Sequence, residues 1–152
     1  MATISFTGDD TVIFDDRVLS DGLSNGNVVE ITYENDKATV QSGKDGNTIF
    51  AYNAAGSQIT FKVRIIRGSS DDKYLNGKLA QQDANFVGLA AFTAVLVKKI
   101  GDGAGNTVND SYSLSGGVFT RGVDVVSNPE GDAEQGTAIY QLKFAKCIRT
   151  LG

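Results

Sequence analysis

The sequence predicts a mainly β protein, an antiparallel β-sandwich or barrel with one flanking α-helix at about residues 71–82. Three observations carry that expectation. Over 137–148, Ala138, Tyr140, Leu142, Phe144 and Ile148 share one parity, while Gln141, Lys143 and Arg149 share the other. A period of two marks a half-buried strand, because successive side chains leave the pleat on opposite faces. Shorter segments repeat the alternation between clusters of Gly, Asn and Asp, the spacing of a sandwich or barrel. Only from Ser70 onward does the spacing become helical.

Composition narrows the functional classes. The chain has 152 residues, 41% of them hydrophobic, enough for one domain with a core of its own. The formal net charge of -4 argues against a surface that clamps nucleic acid. With one Cys, Cys147, no intrachain disulfide is possible, so a reducing compartment is the simpler expectation. Neither a signal peptide nor an apolar run of about 18 residues is present, so a soluble protein made in the cytoplasm is expected.

In order, Ile4 and Phe6 open an alternating segment interrupted at Gly8, Asp9 and Asp10, and Val12, Ile13, Phe14, Val18 and Leu19 follow. Turns are expected at Asp21-Gly22 and Asn25-Gly26. Val29, Ile31 and Tyr33 alternate with Glu30, Thr32 and Glu34, giving a strand with one polar face. After a turn at Asn35, Asp36 and Lys37, an extended run at 38–40 meets the polar, glycine-bearing stretch 41–48, and Ile49, Phe50 and Tyr52 resume the apolar pattern before a turn at 53–57. Ile59, Phe61, Val63 and Ile65 alternate with Thr60, Lys62 and Arg64. Ser70 offers an N-cap, with Asp71 and Asp72 in a first turn where the helix dipole favours negative charge. Tyr74, Leu75, Leu79 and Gln82 continue it, and Gly77 costs the helix about 1 kcal/mol relative to Ala. A strand from Phe92 to Ile100, a loop at 101–106, an extended run reaching Gly116-Gly117, a strand at 118–126 and an exposed connection at 128–136 lead to the closing strand.

The residues that usually carry chemistry are scarce. There is no His, so a serine nucleophile lacks its usual base, and zinc lacks imidazole ligands. The Ser70 and Lys73 spacing reads as a cap and a solvated charge, and the Asp pairs at 9–10, 15–16 and 71–72 read as turns and a helix start. The 101–106 loop lacks the Gly-Lys-Ser/Thr ending of a phosphate cradle. No enzyme activity, cofactor or metal site is expected. The stretch 41–48 differs: it is longer than a tight hairpin needs, and long loops in compact domains are often binding elements. An arm over about 38–50 that docks on a neighbouring subunit is the favoured reading.

Ser42, Gly43, Lys44, Asp45, Gly46 and Asn47, then Ile49-Phe50, then the strand 59–65 leading into Arg67, Gly68, Ser69, Ser70, Asp71, Asp72 and Leu75, together resemble the tail tube protein of contractile-tailed bacteriophages and the similar tube proteins of type VI secretion and tailocins. The likeness spans most of the chain, as one tail-tube-like domain over 1–152. It implies a non-enzymatic virion subunit, assembled in the host cytoplasm, forming hexameric rings that stack into a tube around a lumen conducting DNA without specific binding. The implied partners are other copies of the chain, the tail sheath, the baseplate and the tail terminator. Residues 42–47 would then reach an adjacent ring. Glu30, Thr32 and Glu34 would face the lumen, where neutral or negative side chains repel phosphate. Lys62, Arg64, Lys143 and Arg149 would sit at subunit contacts or face the sheath. The competing reading is a small-ligand or carbohydrate-binding β-sandwich, although the chain has no Trp and its Tyr residues are scattered. A tail terminator of the same fold is a third.

Overall fold

In the computed structural model the described residues are 3–20, 23, 27–131 and 133–152. The turns expected at Asp21-Gly22 and Asn25-Gly26 lie outside them. The closing strand organises the rest. Strand β10 (Thr137–Leu151) pairs antiparallel with β6 (Ile59–Ile66) on one side and with β8 (Thr107–Phe119) on the other. Beyond β8 lie β7 (Phe92–Gly101), β1 (Ser5–Phe14) and the short β2 (Arg17–Val18); beyond β6 lies β3 (Val29–Tyr33). The two-residue β9 (Asp124–Val125) adds to β10, completing an eight-stranded sheet. Strands β4 (Ala38–Ser42) and β5 (Thr48–Tyr52) pair only with each other.

The mainly antiparallel β class with one helix stands. One open sheet carries the core, and α1 (Ser70–Ala84) packs on β6 and β8. A period of two reports only that one face of a strand is covered; it does not say whether a sheet or a helix covers it. On that covered face Ile59, Phe61, Val63 and Ile65 of β6 meet Ala138, Tyr140, Leu142 and Phe144 of β10, all essentially inaccessible. Phe61 and Phe144 stack edge to face at 5.7 Å, and Phe119 meets Tyr140 at 6.0 Å. Each such side chain contributes about 1.5–3 kcal/mol through burial.

The helix begins one residue earlier than expected, at the Ser70 read as its cap. Ser69 is the N-cap, its Oγ accepting from the Asp72 N–H at 3.2 Å, and Ser70 is already helical. Asp72 also accepts from the Gly68 N–H and from the Tyr140 hydroxyl, tying the helix start to β10. Asp71 is fully buried and paired with Arg17 at 3.1 Å. At the other end Gln82, read from sequence only as part of the helical spacing, is buried and bonds both backbone groups of Phe119 at 2.8 Å.

Three strand readings are corrected. The Gly8–Asp9–Asp10 break is a register shift within a continuous β1, and β8 continues past Gly116-Gly117 with a register shift there instead of ending. In β10 the alternation does not persist to Ile148, which is half exposed, while Cys147 is buried. The phase changes at Ala145 and Lys146, opposite Gly116, whose φ of 68° interrupts the pleat of the neighbouring strand. Gly117 is needed for contact as well: a Cβ there would fall 2.3 Å from the Phe144 ring.

Candidate assembly surfaces

The arm expected at 38–50 is a β-hairpin, and most of the stretch expected as polar loop is strand. Pairs from Ala38–Tyr52 to Ser42–Thr48 are in register, leaving 43–47 as the tip, where Gly46 at φ 82° makes the turn. Its base is fixed. The Asn53 N–H donates to the Lys37 carbonyl at 2.7 Å, the Asn53 side-chain amide donates to the Asp36 carbonyl at 2.9 Å, and Gly56 fits so closely that a Cβ would lie 2.6 Å from the Lys37 Cα. Beyond that base every residue of both strands is exposed. Cross-strand pairing puts Val40 beside Phe50 and Ala38 beside Tyr52 on one face. Phe50 and Tyr52 are 77% and 81% exposed. Sequence reasoning named the polar tip and missed this apolar face. Its signal was the shared parity of Val40, Phe50 and Tyr52 in two runs flanking one loop.

The sheet has two unpaired margins. Among the described residues β3 pairs only with β6, and β1 meets β2 only at Ile13 and Phe14, leaving most of its outer edge without a partner strand. Exposed strand edges are templates for pairing with another chain.

The face turned away from α1 gathers the two residue sets assigned to different surroundings. Glu30 lies opposite Lys62, Thr32 opposite Thr60, and Thr60 opposite Lys143, so Glu30, Thr32, Glu34, Lys62, Arg64 and Lys143 project from one side of β3, β6 and β10. Lys143 pairs with Glu34 at 3.1 Å. Hydrogen bonds from Thr60 and Lys143 hold the Glu34 carboxyl below its usual range. A division in which the carboxylates point one way and these cations another therefore does not hold. Arg149 does lie apart: the phase change puts it on the side of Cys147, bidentate to Asp110 at 2.7 and 3.0 Å and over the Tyr112 ring. The Asp110 carboxylate raises its pKa further.

The Tyr33 hydroxyl donates to the Cys147 sulfur at 3.6 Å and its pKa is pushed up to about 12, chiefly by that bond. Burial raises the Cys147 thiol. A hollow of about 480 Å³ is lined by Asp15, Lys78 and Phe92, among others, and the Lys78–Asp15 ion pair at 3.6 Å belongs to it. Among the described residues no group of three or more His, Cys, Asp or Glu could hold a metal ion, and no helix is long and apolar enough to cross a membrane.

No known protein family and no curated protein matches this sequence. Solved structures do match its fold. The cap of the anti-feeding prophage, described as a tube-terminating cap, aligns with TM-score 0.61 at 8% identity, covering 94% of this chain and 88% of that one. A chain of the sheath–tube complex of PVC, an extracellular contractile injection system, gives 0.60 at 11%, covering 94% and 88%. A chain of the PVC sheath/tube terminator gives 0.57 at 13%, covering 94% of each. The chain therefore has the fold found in tube, cap and terminator assemblies of contractile injection systems, as the sequence resemblance implied.

Proposed function

We propose that this chain is a non-enzymatic structural subunit that pairs edge to edge with copies of itself, six to a ring, the rings stacking into a tube. The observation that carries the reading is the open sheet with unpaired margins on β1 and β3, in a fold shared with tube and terminator assemblies. Joining one margin to the next subunit's opposite margin would close the sheet around a pore and remove its exposed edges. Because α1 occupies one face, the bare face would line the channel and α1 would face outward, toward a sheath. The hairpin would extend to the adjacent ring, with Phe50, Tyr52 and Val40 buried there and 42–47 at its leading end. Baseplate and terminator proteins would meet the tube's ends, and assembly would take place in the host cytoplasm. DNA is the passenger that the family resemblance implies.

Electron microscopy of the purified protein tests this. Tubes or rings with a central hole are expected, and deletion of 43–47 should leave a folded chain whose rings do not stack. Persistent monomers at high concentration would overturn the proposal in favour of a ligand-binding module; rings that cap a tube without extending it would assign the chain to the terminator. Labelling of Glu30→Cys should be blocked by tube assembly, and ready labelling from outside would refute the inward orientation.

A further inference from the structure

The core side of the sheet is longer than the helix that covers it. Polar bonds tie α1 to Arg17 of β2, to Tyr140 near the start of β10 and to Phe119 at the close of β8, all at one end of the strands. At the other end a row of directly opposed residues crosses three strands: Phe6 of β1, Ile100 of β7 and Val108 of β8. The row continues the side on which Ala94, Leu96 and Leu114 meet the core. Leu151 of β10, opposite Asp110, adds to it. Phe6, Val108 and Leu151 are exposed. The charges beside the row are already satisfied, Lys98 with Asp10 at 2.9 Å and Arg149 with Asp110 at 2.7 Å. What remains is an apolar patch with matched charges at its rim.

The end that holds α1 carries an apolar projection. Between α1 and β7 the chain passes through residues 85–91, a segment without a charged side chain. The Asn85 side-chain oxygen accepts from the Gly88 N–H at 3.0 Å, and Leu89 packs against the core, so the turn is tied on both sides. At its tip Phe86 and Val87 are 60% and 96% exposed. Apolar side chains held in water by a tied turn mark an interaction site. The turn continues directly from α1, so it starts in the layer that the helix forms on the core side, the side from which the row projects. Tip and row lie at opposite ends of β7, whose 10 residues span roughly 33 Å. Copies stacked head to tail along the strands therefore bring the tip of one to the row of the next. The arm competes poorly for the same place. Its leading end carries Lys44 and Asp45, whereas the charges beside the row are satisfied within their own chain.

We propose that the Phe86–Val87 tip of one copy seats on the Phe6–Ile100–Val108 row of a copy in the adjacent ring, as a second contact between rings beside the arm. It rests on the stacked-ring reading and gives the stack a direction, because two unlike surfaces that meet head to tail propagate instead of closing on themselves. The test is disulfide trapping in the assembled full chain, with Val87→Cys and Val108→Cys made singly and together. The parent, whose Cys147 is buried, is the control. The two positions are too far apart to join within one chain. Oxidised by copper phenanthroline, the double variant should give a ladder running past six chains on non-reducing gels, and the single variants should stay monomeric. Dimers from Val87→Cys alone, or a ladder that stops at six, would place the contact elsewhere and overturn the proposal. So would a ladder from Phe50→Cys with Val108→Cys in place of the expected one, since the row would then belong to the arm. Val87→Asp should keep its circular dichroism and its single rings while raising the concentration needed for tubes about tenfold or more; an unchanged concentration counts against the contact. Microscopy separates the two readings. Tubes from the double variant without a ladder would retain the tube and reject this contact, whereas a ladder from a chain that never forms rings would do the reverse.

Discussion

Two antiparallel pairs built from similar residues meet opposite fates in this molecule. In β6–β10 the alternate side chains Phe61, Val63, Tyr140 and Phe144 are sealed by α1 and the neighbouring strands. In β4–β5, Val40, Phe50 and Tyr52 alternate just as regularly and stand in solvent. Strand formation needs only local pairing and β-favouring side chains; burial needs a second layer, and the hairpin has none within its own chain. An anchored arm with one apolar face is therefore the part of the chain whose covering must come from elsewhere, and contiguous apolar exposure of that kind marks an interaction site.

The sharpest way to break the comparison is truncation in each region. Phe144→Ala, or Phe61→Ala, should cost about 3–5 kcal/mol in chemical denaturation. A loss under about 1 kcal/mol would show that the sheet core is not sealed. Gln82→Ala comes next: it strands the Phe119 N–H and carbonyl under the helix, and about 2–3 kcal/mol should be lost. Alkaline titration probes the same core. The pKa values of Tyr33 and Tyr74 are pushed up to about 12, Tyr33 mainly by its bond to Cys147 and Tyr74 mainly by burial. Since the folded state holds these protons more tightly than the unfolded chain does, their contribution is complete below about pH 10 and is lost as pH rises toward 12. Tyrosinate absorbance from Tyr33 and Tyr74, taken as the difference between the parent and a Tyr33→Phe, Tyr74→Phe variant, should therefore appear together with unfolding; its appearance at ordinary tyrosine pH in a folded protein would contradict the assignment.

Smaller effects sharpen the contrast. Gly77 is exposed, and a Cβ there would meet nothing within 4 Å, so Gly77→Ala should raise stability by about 1 kcal/mol. Phe50→Ser should change it least, within about 0.5 kcal/mol, while abolishing ring stacking. A large drop in melting temperature for Phe50→Ser would mean that the hairpin packs against its own chain.

Much of the β content was legible because burial on one face writes a period of two into the residues. The alternation of Ile59, Phe61, Val63 and Ile65 located β6 almost to its ends. The helix was legible from Asp71, Leu75 and Leu79, although the choice between Ser69 and Ser70 as cap was not, since either hydroxyl suits the position. Charge placement was the least legible. Parity put Lys62 on the polar side of its strand and Glu30 on the polar side of another, but only pairing sets them opposite each other, and the change of phase near Gly116 that moves Arg149 across the sheet is a property of two strands together.

The sequence by itself determined that this protein is strand-rich, has one helix, contains no His and carries a polar, glycine-bearing stretch between its third and sixth strands. Those are local consequences of side-chain period, turn residues and composition. Only the tertiary structure decided that the sheet is single and open, that Val40, Phe50 and Tyr52 find no cover, and that Arg64, Lys62 and Lys143 share the bare face with Glu30 and Glu34. The reason is that a strand's pattern records which of its sides is buried, while the partner doing the burying, and the charges brought opposite, depend on residues far away along the chain.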